Sequence, residues 1–565
     1  MPEWRPDDIE AFRPLRPSVV AWGNDAVHLR NNPKPPEKLA RDYRELGIKL
    51  QACNVWMLTA TGRVLYDEPE YRDAVCVDIA GDPIVPGWLD SNYKGVKHYW
   101  GCTNHPLFRK QLAERVRIGI TSGANMLHLD DHLGTSAAAN HSGGCFCGFC
   151  MKGFRAWLQQ NFTASDLATK GIDDLGSFDY RATVRHAGFT DRKTYKQGMW
   201  RKKVPLQEEF LAFQRDAAAE FVRQLGDVAR RAAGQPVPVG VNSYNLSPTQ
   251  LATSHHADFF ANEVQHYDQE DTIPPMVYLL GTALGKPVFS TGSGHCWIRV
   301  QQHDDVSRVR RWIATAHAFG HYSMFAYKKW GFSEETGTKW YITPISTYEP
   351  LCRFINENAE LFDGYEPVAQ VGVLYDNATC RNHRWQVRDI CRELHYANVP
   401  CGLVLAGDGY LRHPLTEDAL EAFDLVVVPT DASLTGAQAE LLKRFRDRDR
   451  AISWSGVDDV SKRVEPFVSL TNGDKVWALP RKVPNRSNDP TVIHLLNQDY
   501  DPQKDTMRAK SDLKIWIRRA LVGNATRATL VVPGKSPRTL ALKATADSVS
   551  TTVPALDMWV ILKID

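Results

Sequence analysis

No apolar run in the 565 residues approaches the roughly 20 that a membrane-spanning helix needs. The opening MPEWRPDDIEAFRP has no apolar signal-peptide core. The expectation is a soluble chain with no targeting segment, the cytoplasm being favoured. An excess of one charge is also missing: 68 Lys and Arg stand against 66 Asp and Glu, a net +2, which gives no reason to expect nucleic acid or an anionic membrane as partner. Nor is there a disulfide framework, because the eleven cysteines are odd in number and scattered except for one tight group. Internal repeats and low-complexity tracts are absent. What remains is an ordinary globular composition, 43% hydrophobic and 24% charged, in a chain long enough for three or four units. A small molecule or a glycan is the expected partner.

From Ser18 to Lys329 short apolar runs alternate with amphipathic stretches, the pattern of repeated βα units on a parallel sheet. Eight candidate strands are read: Ser18 to Asn24, Leu50 to Leu58, Lys97 to Cys102, Met126 to Asp131, Val237 to Asn242, Phe259 to Val264, Pro287 to Ser290 and Ser323 to Tyr327. They predict a closed (β/α)8 TIM barrel over 1–364, with its active site where the strands end. Leu206, Phe210, Phe213, Ala217, Phe221 and Leu225 recur at helical spacing and mark a core-facing helix. The segment from Gly62 to Trp88 alternates like a hairpin inserted at the mouth. Over 365–460 hydrophobic strands again alternate with helices, predicting a small doubly wound α/β domain. It has no cysteine in a strand-to-helix elbow and is read as structural. Over 461–565 runs such as TVIHLLN and MWVILK predict a small β-sandwich.

The most specific motif is Cys145-Phe-Cys147-Gly-Phe-Cys150, three thiols within six residues. Cys102 is the candidate fourth ligand. Thiolates favour tetrahedral Zn²⁺, and four protein ligands leave no open position, so such a site braces loops rather than catalysing.

The stretches HYWGCTNHPLFRKQLAERV, LHLDDHLG and CFCGFCMKGFRAWLQQNF resemble the family 42 β-galactosidases, whose barrel carries a zinc-binding cysteine quartet of this spacing. The resemblance implies an α/β trimerisation domain like a glutamine amidotransferase after the barrel, then a β-sandwich, and hence a homotrimer. It also implies a retaining glycosidase with one catalytic Glu after strand 4 and another at the end of strand 7. Both positions depart from the family. Its Asp-Asn-Glu aligns with Asp130-Asp131-His132, and its strand-7 Glu falls among Ser290, Thr291 and Gly292.

A replacement pair is therefore expected from Asp131 as general acid and Glu263 as base or nucleophile, with His132 orienting or sharing the proton. Alternatively, Asp130 caps its loop and Asp131 or Glu263 only binds sugar hydroxyls. Trp22, Asn24, Asn262, His266, His295, Tyr327, Lys328 and Trp330 are the candidate substrate contacts, the indoles by stacking and the lysine by pairing with an acidic sugar. A catalytic metal is conceivable if Asp130, Asp131, His132, His266 and His295 converge. Three functions compete: a glycoside hydrolase with a relocated carboxyl pair, a lyase acting on a uronate-containing sugar, and a glycan-binding barrel without catalysis.

Overall fold

The computed structural model describes residues 10–25, 36–57, 59–60, 62–87, 92–266, 274–324, 344–486 and 489–565. Seven segments form one all-parallel, curled sheet whose strand order follows the chain: β1 (Val19–Asp25), β2 (Leu50–Trp56), β3 (Met126–Asp130), β4 (Val239–Tyr244), β5 (Phe259–Val264), β6 (Val288–Gly292) and β7 (Tyr322–Ser323). Sequential parallel order is barrel order, and among the described residues no pairing joins β7 back to β1. Residues 325–327 of the expected last strand lie outside the described residues. Both faces of the sheet are buried, as a parallel sheet requires. Val55, Leu127, Leu129, Val239, Val241, Phe260, Val264 and Val288 enter the large core shared with the helices. Ala21, Ala52, Met126, Phe259 and Phe289 pack together on the other face.

Two expectations need correction. The run Lys97 to Cys102 is not a strand of this sheet, since β2 pairs directly with β3. Its residues instead make short antiparallel pairs with Asn92–Tyr93 and Thr59–Ala60. The run is apolar because Trp100 and Cys102 are buried in a separate small core with Cys76, Ile84, Cys145 and Cys150. The Gly62 to Trp88 insertion is not a hairpin either: it opens with an α-helix at Gly62–Asp67 and a 3-10 helix at Pro69–Ala74. The period-2 signal came from residues 75–84, where isolated bridges tie Val75 to Gly101 and Val77 to Pro83.

The helices that place the site are α1 (Pro106–Thr121), α2 (Gly148–Asn161), α3 (Gln207–Ala233), α4 (Pro274–Ala283) and α5 (Val306–Ala318). In α3 the expected stripe is present: Phe210, Phe213, Phe221 and Leu225 are buried. The helix stops at Gly234, whose φ of 65° closes the last turn at no steric cost.

Beyond the barrel region, β8 (Val371–Asp376), β9 (Cys401–Ala406), β10 (Leu425–Val428) and β11 (Ala451–Ser453) form a parallel sheet in the order β9-β8-β10-β11. Val371, Val373 and Leu403 belong to the same continuous core as the first sheet, so the two α/β regions are packed rather than tethered. Residues 468–564 supply most of two antiparallel sheets, one of six strands and one of four. Val476, Ile493 and Val560 of one sheet meet Ile515, Val549 and Val553 of the other across a shared apolar layer.

Candidate active site

Strand alternation points Asp130, Asn242 and Glu263 to the open end of the sheet, and their polar atoms interlock. The Trp56 indole N–H donates to one oxygen of Asp130. The Asn242 side-chain amide donates to the other at 2.8 Å and also bonds the Glu263 carboxyl, which the Gly294 backbone N–H approaches as well. Asp131 follows in a left-handed conformation, φ 52°, a strained setting for a non-glycine residue of the kind that collects at functional sites. Asp131 and Glu263 keep partial solvent exposure as residues, yet burial leads the shift of both carboxyls. Burial first, then the charges of Asp130 and Glu263, push the Asp131 carboxyl well above the usual range. Burial, then Asp130, push Glu263 up to about 7, against the pull of Asn242 and Gly294. Two carboxyls that resist ionisation at one mouth can hold and move protons near neutral pH.

His132 is buried, and burial lowers its ring to about 3, so it is neutral there. Its Nδ1 lies 3.3 Å from the Thr253 hydroxyl, and its Nε2 has no partner among the described residues. Deeper in, His128 Nδ1 lies 2.9 Å from Asn54 Oδ1, and Trp22 packs on the His128 ring at 4.7 Å.

The other expected contacts divide. Asn24 is in β1, opposite Cys53. Asn262 faces away from the mouth: its Oδ1 accepts from the Ser243 hydroxyl at 2.8 Å and the Leu246 N–H at 3.0 Å, fixing the turn after β4. His266 is buried against Trp312, ring centres 4.6 Å apart. His295 is exposed on the helix Gly294–His303. Tyr327, Lys328 and Trp330 lie outside the described residues. Where the family resemblance implies a carboxylate, Ser290 bonds the Tyr278 hydroxyl at 2.8 Å and Thr291 accepts from the Trp297 indole at 3.1 Å. Gly292 has no room for a side chain, since a Cβ there would stand 2.7 Å from the Trp312 ring. Trp56 and Asn242 were not foreseen. The alternation of LQACNVW, which puts Trp56 on the face of Ala52 and Asn54, is the signal that would have found the first.

The loop after β3 is held from two sides. On one side, Sγ of Cys102 lies 3.6 Å from Cys147, 3.6 Å from Cys150 and 3.9 Å from Cys145, and all four sulfurs lie within 4.8 Å of one another. A tetrahedron with Zn–S bonds of about 2.3 Å has S–S edges of about 3.8 Å, so the spacing fits. The sulfurs also accept N–H donors: Asn104 Nδ2 to Cys150 at 3.3 Å, the Cys147 backbone to Cys145 at 3.4 Å and the Cys150 backbone to Cys147 at 3.5 Å. Among the described residues this is the group able to hold a metal; the aspartates and histidines at the mouth do not form a second.

On the other side stands the second α/β region. Tyr410, in the turn after β9, packs with Leu133 and Ala252, the neighbours of His132 and Thr253. The guanidinium of Arg381 lies 4.6 Å from its ring and that of Arg215 lies 5.1 Å away. The second region therefore contributes directly to the wall of the loop after β3.

No protein-family model matches the chain. It is similar to an α-agarase of Thalassotalea agarivorans, 23% identical over 493 residues, covering 84% of this chain and 33% of that protein. An α-agarase of Alteromonas agarilytica is 22% identical over 492 residues, covering 84% and 34%. The chain thus spans about one third of the length of the curated relatives it matches. Among solved structures, α-L-fucosidase isoenzyme 2 from Paenibacillus thiaminolyticus superposes with a TM-score of 0.63 at 11% identity, covering 99% of this chain and 95% of that one. That likeness is one of fold.

Proposed function

We propose that the chain is a glycoside hydrolase that cleaves an α-glycosidic bond in an agar-like polysaccharide, using Asp131 and Glu263 as its carboxyl pair. The α-agarase relatives, aligned over 84% of the chain, support the substrate class. The observation that carries the catalytic assignment is the pair of raised carboxyls at one strand-end mouth, both pushed up by burial first and then by the charge of Asp130.

In this reading Asp131 arrives protonated and gives its proton to the departing glycosidic oxygen. Glu263, ionised above about pH 7, acts on the sugar or on water as nucleophile or base. Asp130 stays fixed by Trp56 and Asn242 and keeps the acid protonated. Neutral His132 packs beneath the loop and orients it. Trp22 and Trp56 offer indole faces to the sugar.

The thiol quartet supports a structural zinc ion held by Cys102, Cys145, Cys147 and Cys150, which when bound would tie the loop after β3 to the strand-like run at Cys102. It is the feature that supports kinship with the family 42 enzymes, while the strand ends do not reproduce their catalytic pair. A homotrimer through the second α/β region belongs to the same reading, and sedimentation velocity tests it.

The function is tested by incubating the protein with agar and following both new reducing ends and unsaturated-sugar absorbance. New reducing ends without absorbance are expected. Absorbance would make the enzyme a lyase, and retained sugar binding without turnover would make it a scaffold.

A further inference from the structure

Trp200 is 85% exposed, by a wide margin the most exposed of the large hydrophobic side chains among the described residues. It ends the helix Arg192–Trp200. Between 180 and 203 eight Lys and Arg stand against a single Asp, a local charge of +7 in a chain whose total is +2. That one acid, Asp191, is engaged in capping the helix, its carboxylate accepting from the Lys193 and Thr194 N–H groups at 2.8 and 2.9 Å. Lys193, Lys196, Arg201, Lys202 and Lys203 are all exposed, and among the described residues no carboxylate pairs with them. Lys202 Nζ reaches Asn382 Oδ1 at 3.5 Å, so the patch runs on to the second α/β region, where exposed Arg384 follows Asn382 by two residues.

Cations left unpaired around a bare indole are matched to a ligand with flat apolar faces and regularly spaced negative charge. We propose that this surface is a second glycan-binding site, separate from the catalytic mouth, for a polysaccharide that carries sulfate or carboxylate groups. Trp200 stacks on a pyranose ring, and the flanking ammonium and guanidinium groups pair with the anionic substituents. The site is coupled to the mouth by construction: Arg192, on the same helix, donates to the Ser142 carbonyl at 2.8 Å, and Ser142 belongs to the segment that begins at Asp131. The inference rests on the glycan-active reading, but its readout is retention rather than turnover.

The test is affinity chromatography of the full chain on immobilised dextran sulfate, polygalacturonate, neutral dextran and duplex DNA, eluted with a salt gradient. Retention on dextran sulfate, on polygalacturonate or on both, but not on neutral dextran, is expected, and which of the two binds identifies the anionic group. Trp200→Ala should weaken that retention about tenfold, and the double variant Arg201→Glu with Lys203→Glu should abolish it, with hydrolysis of short oligosaccharides unchanged for both. Because these side chains are exposed, the variants keep the fold, which circular dichroism checks. Retention that ignores Trp200, no preference over neutral dextran, or binding of duplex DNA at least as strong as of either glycan would each overturn the proposal. Failure of hydrolysis with retention intact would strike the catalytic assignment alone.

Discussion

The two parallel sheets end in carboxylates that live in opposite surroundings. In the second α/β region Asp376, at the end of β8, accepts the Ala378 N–H at 3.1 Å, the Thr379 hydroxyl at 2.5 Å and the Ser433 N–H at 2.9 Å. Asp408 near it takes Asn377, Arg381 and two backbone N–H groups, and these hold its carboxyl below the usual range although burial acts against them. At the mouth of the first sheet the carboxyls are instead pushed up. Asn242 Oδ1 and the Nε2 atoms of His128 and His132 there have no partner among the described residues. The same position in the same kind of sheet is thus sealed in one region and left reactive in the other. What separates them is the number of donors that local turns aim at each oxygen.

Substitutions can break this contrast. The largest effect is expected at the mouth, where Asp131→Asn and Glu263→Gln should each lower kcat by about 10²- to 10⁴-fold with no loss of melting temperature. Steady-state kinetics beside calorimetry checks this, and near-normal turnover in either variant removes it from the pair. Next, stripping the metal or replacing Cys147 with Ser should lower the melting temperature by about 4 °C, for a loss of about 3 kcal/mol. Elemental analysis should find one zinc per chain beforehand and none afterwards. Asp376→Asn should do the reverse of the mouth variants, costing about 3 kcal/mol of stability in denaturant unfolding while kcat stays.

A smaller effect is a pH dependence. The folded pKa of Glu263, about 7, lies above its ordinary value of 4.5, so the folded state binds the proton more tightly. This contribution to stability is fully present below about pH 4.5 and is lost as pH rises through 7. Glu263→Gln should therefore be more stable than the parent by up to about 3 kcal/mol at pH 8 and no more stable at pH 4, which melting curves at the two values compare. The smallest is at Tyr410, which touches no reacting atom. Tyr410→Ala should lower kcat about tenfold and shift the alkaline limb of the pH–rate profile, because the loop carrying Asp131 loses its backing. Tyr410→Phe should restore both.

Much of the frame was legible because it rests on periodicity. The βα alternation, the stripe of α3 and the shift to short strands near the C-terminal end are all local patterns, and each reappears as packed structure. The error at Lys97 to Cys102 shows the limit: an apolar run that packs around thiols reads the same as one that packs inside a sheet. Asp131 and Glu263 stood out as acids at strand ends, but Asn242 did not, since an amide after a strand is common and its reach to two carboxyls is a tertiary fact. Tyr410 lies more than 270 residues from Leu133, beyond any local pattern.

Adjacent residues of α3 serve opposite walls of the loop after β3. Gln214 accepts from Asn104 at 2.9 Å, the same amide that serves Cys150, while Arg215 lies on the Tyr410 ring. One inserted or deleted residue just before them would swing both through about 100°, uncoupling thiols and tyrosine together. Length variation among descendants of this sequence belongs in its surface turns, and the middle of this helix is where an indel cannot settle.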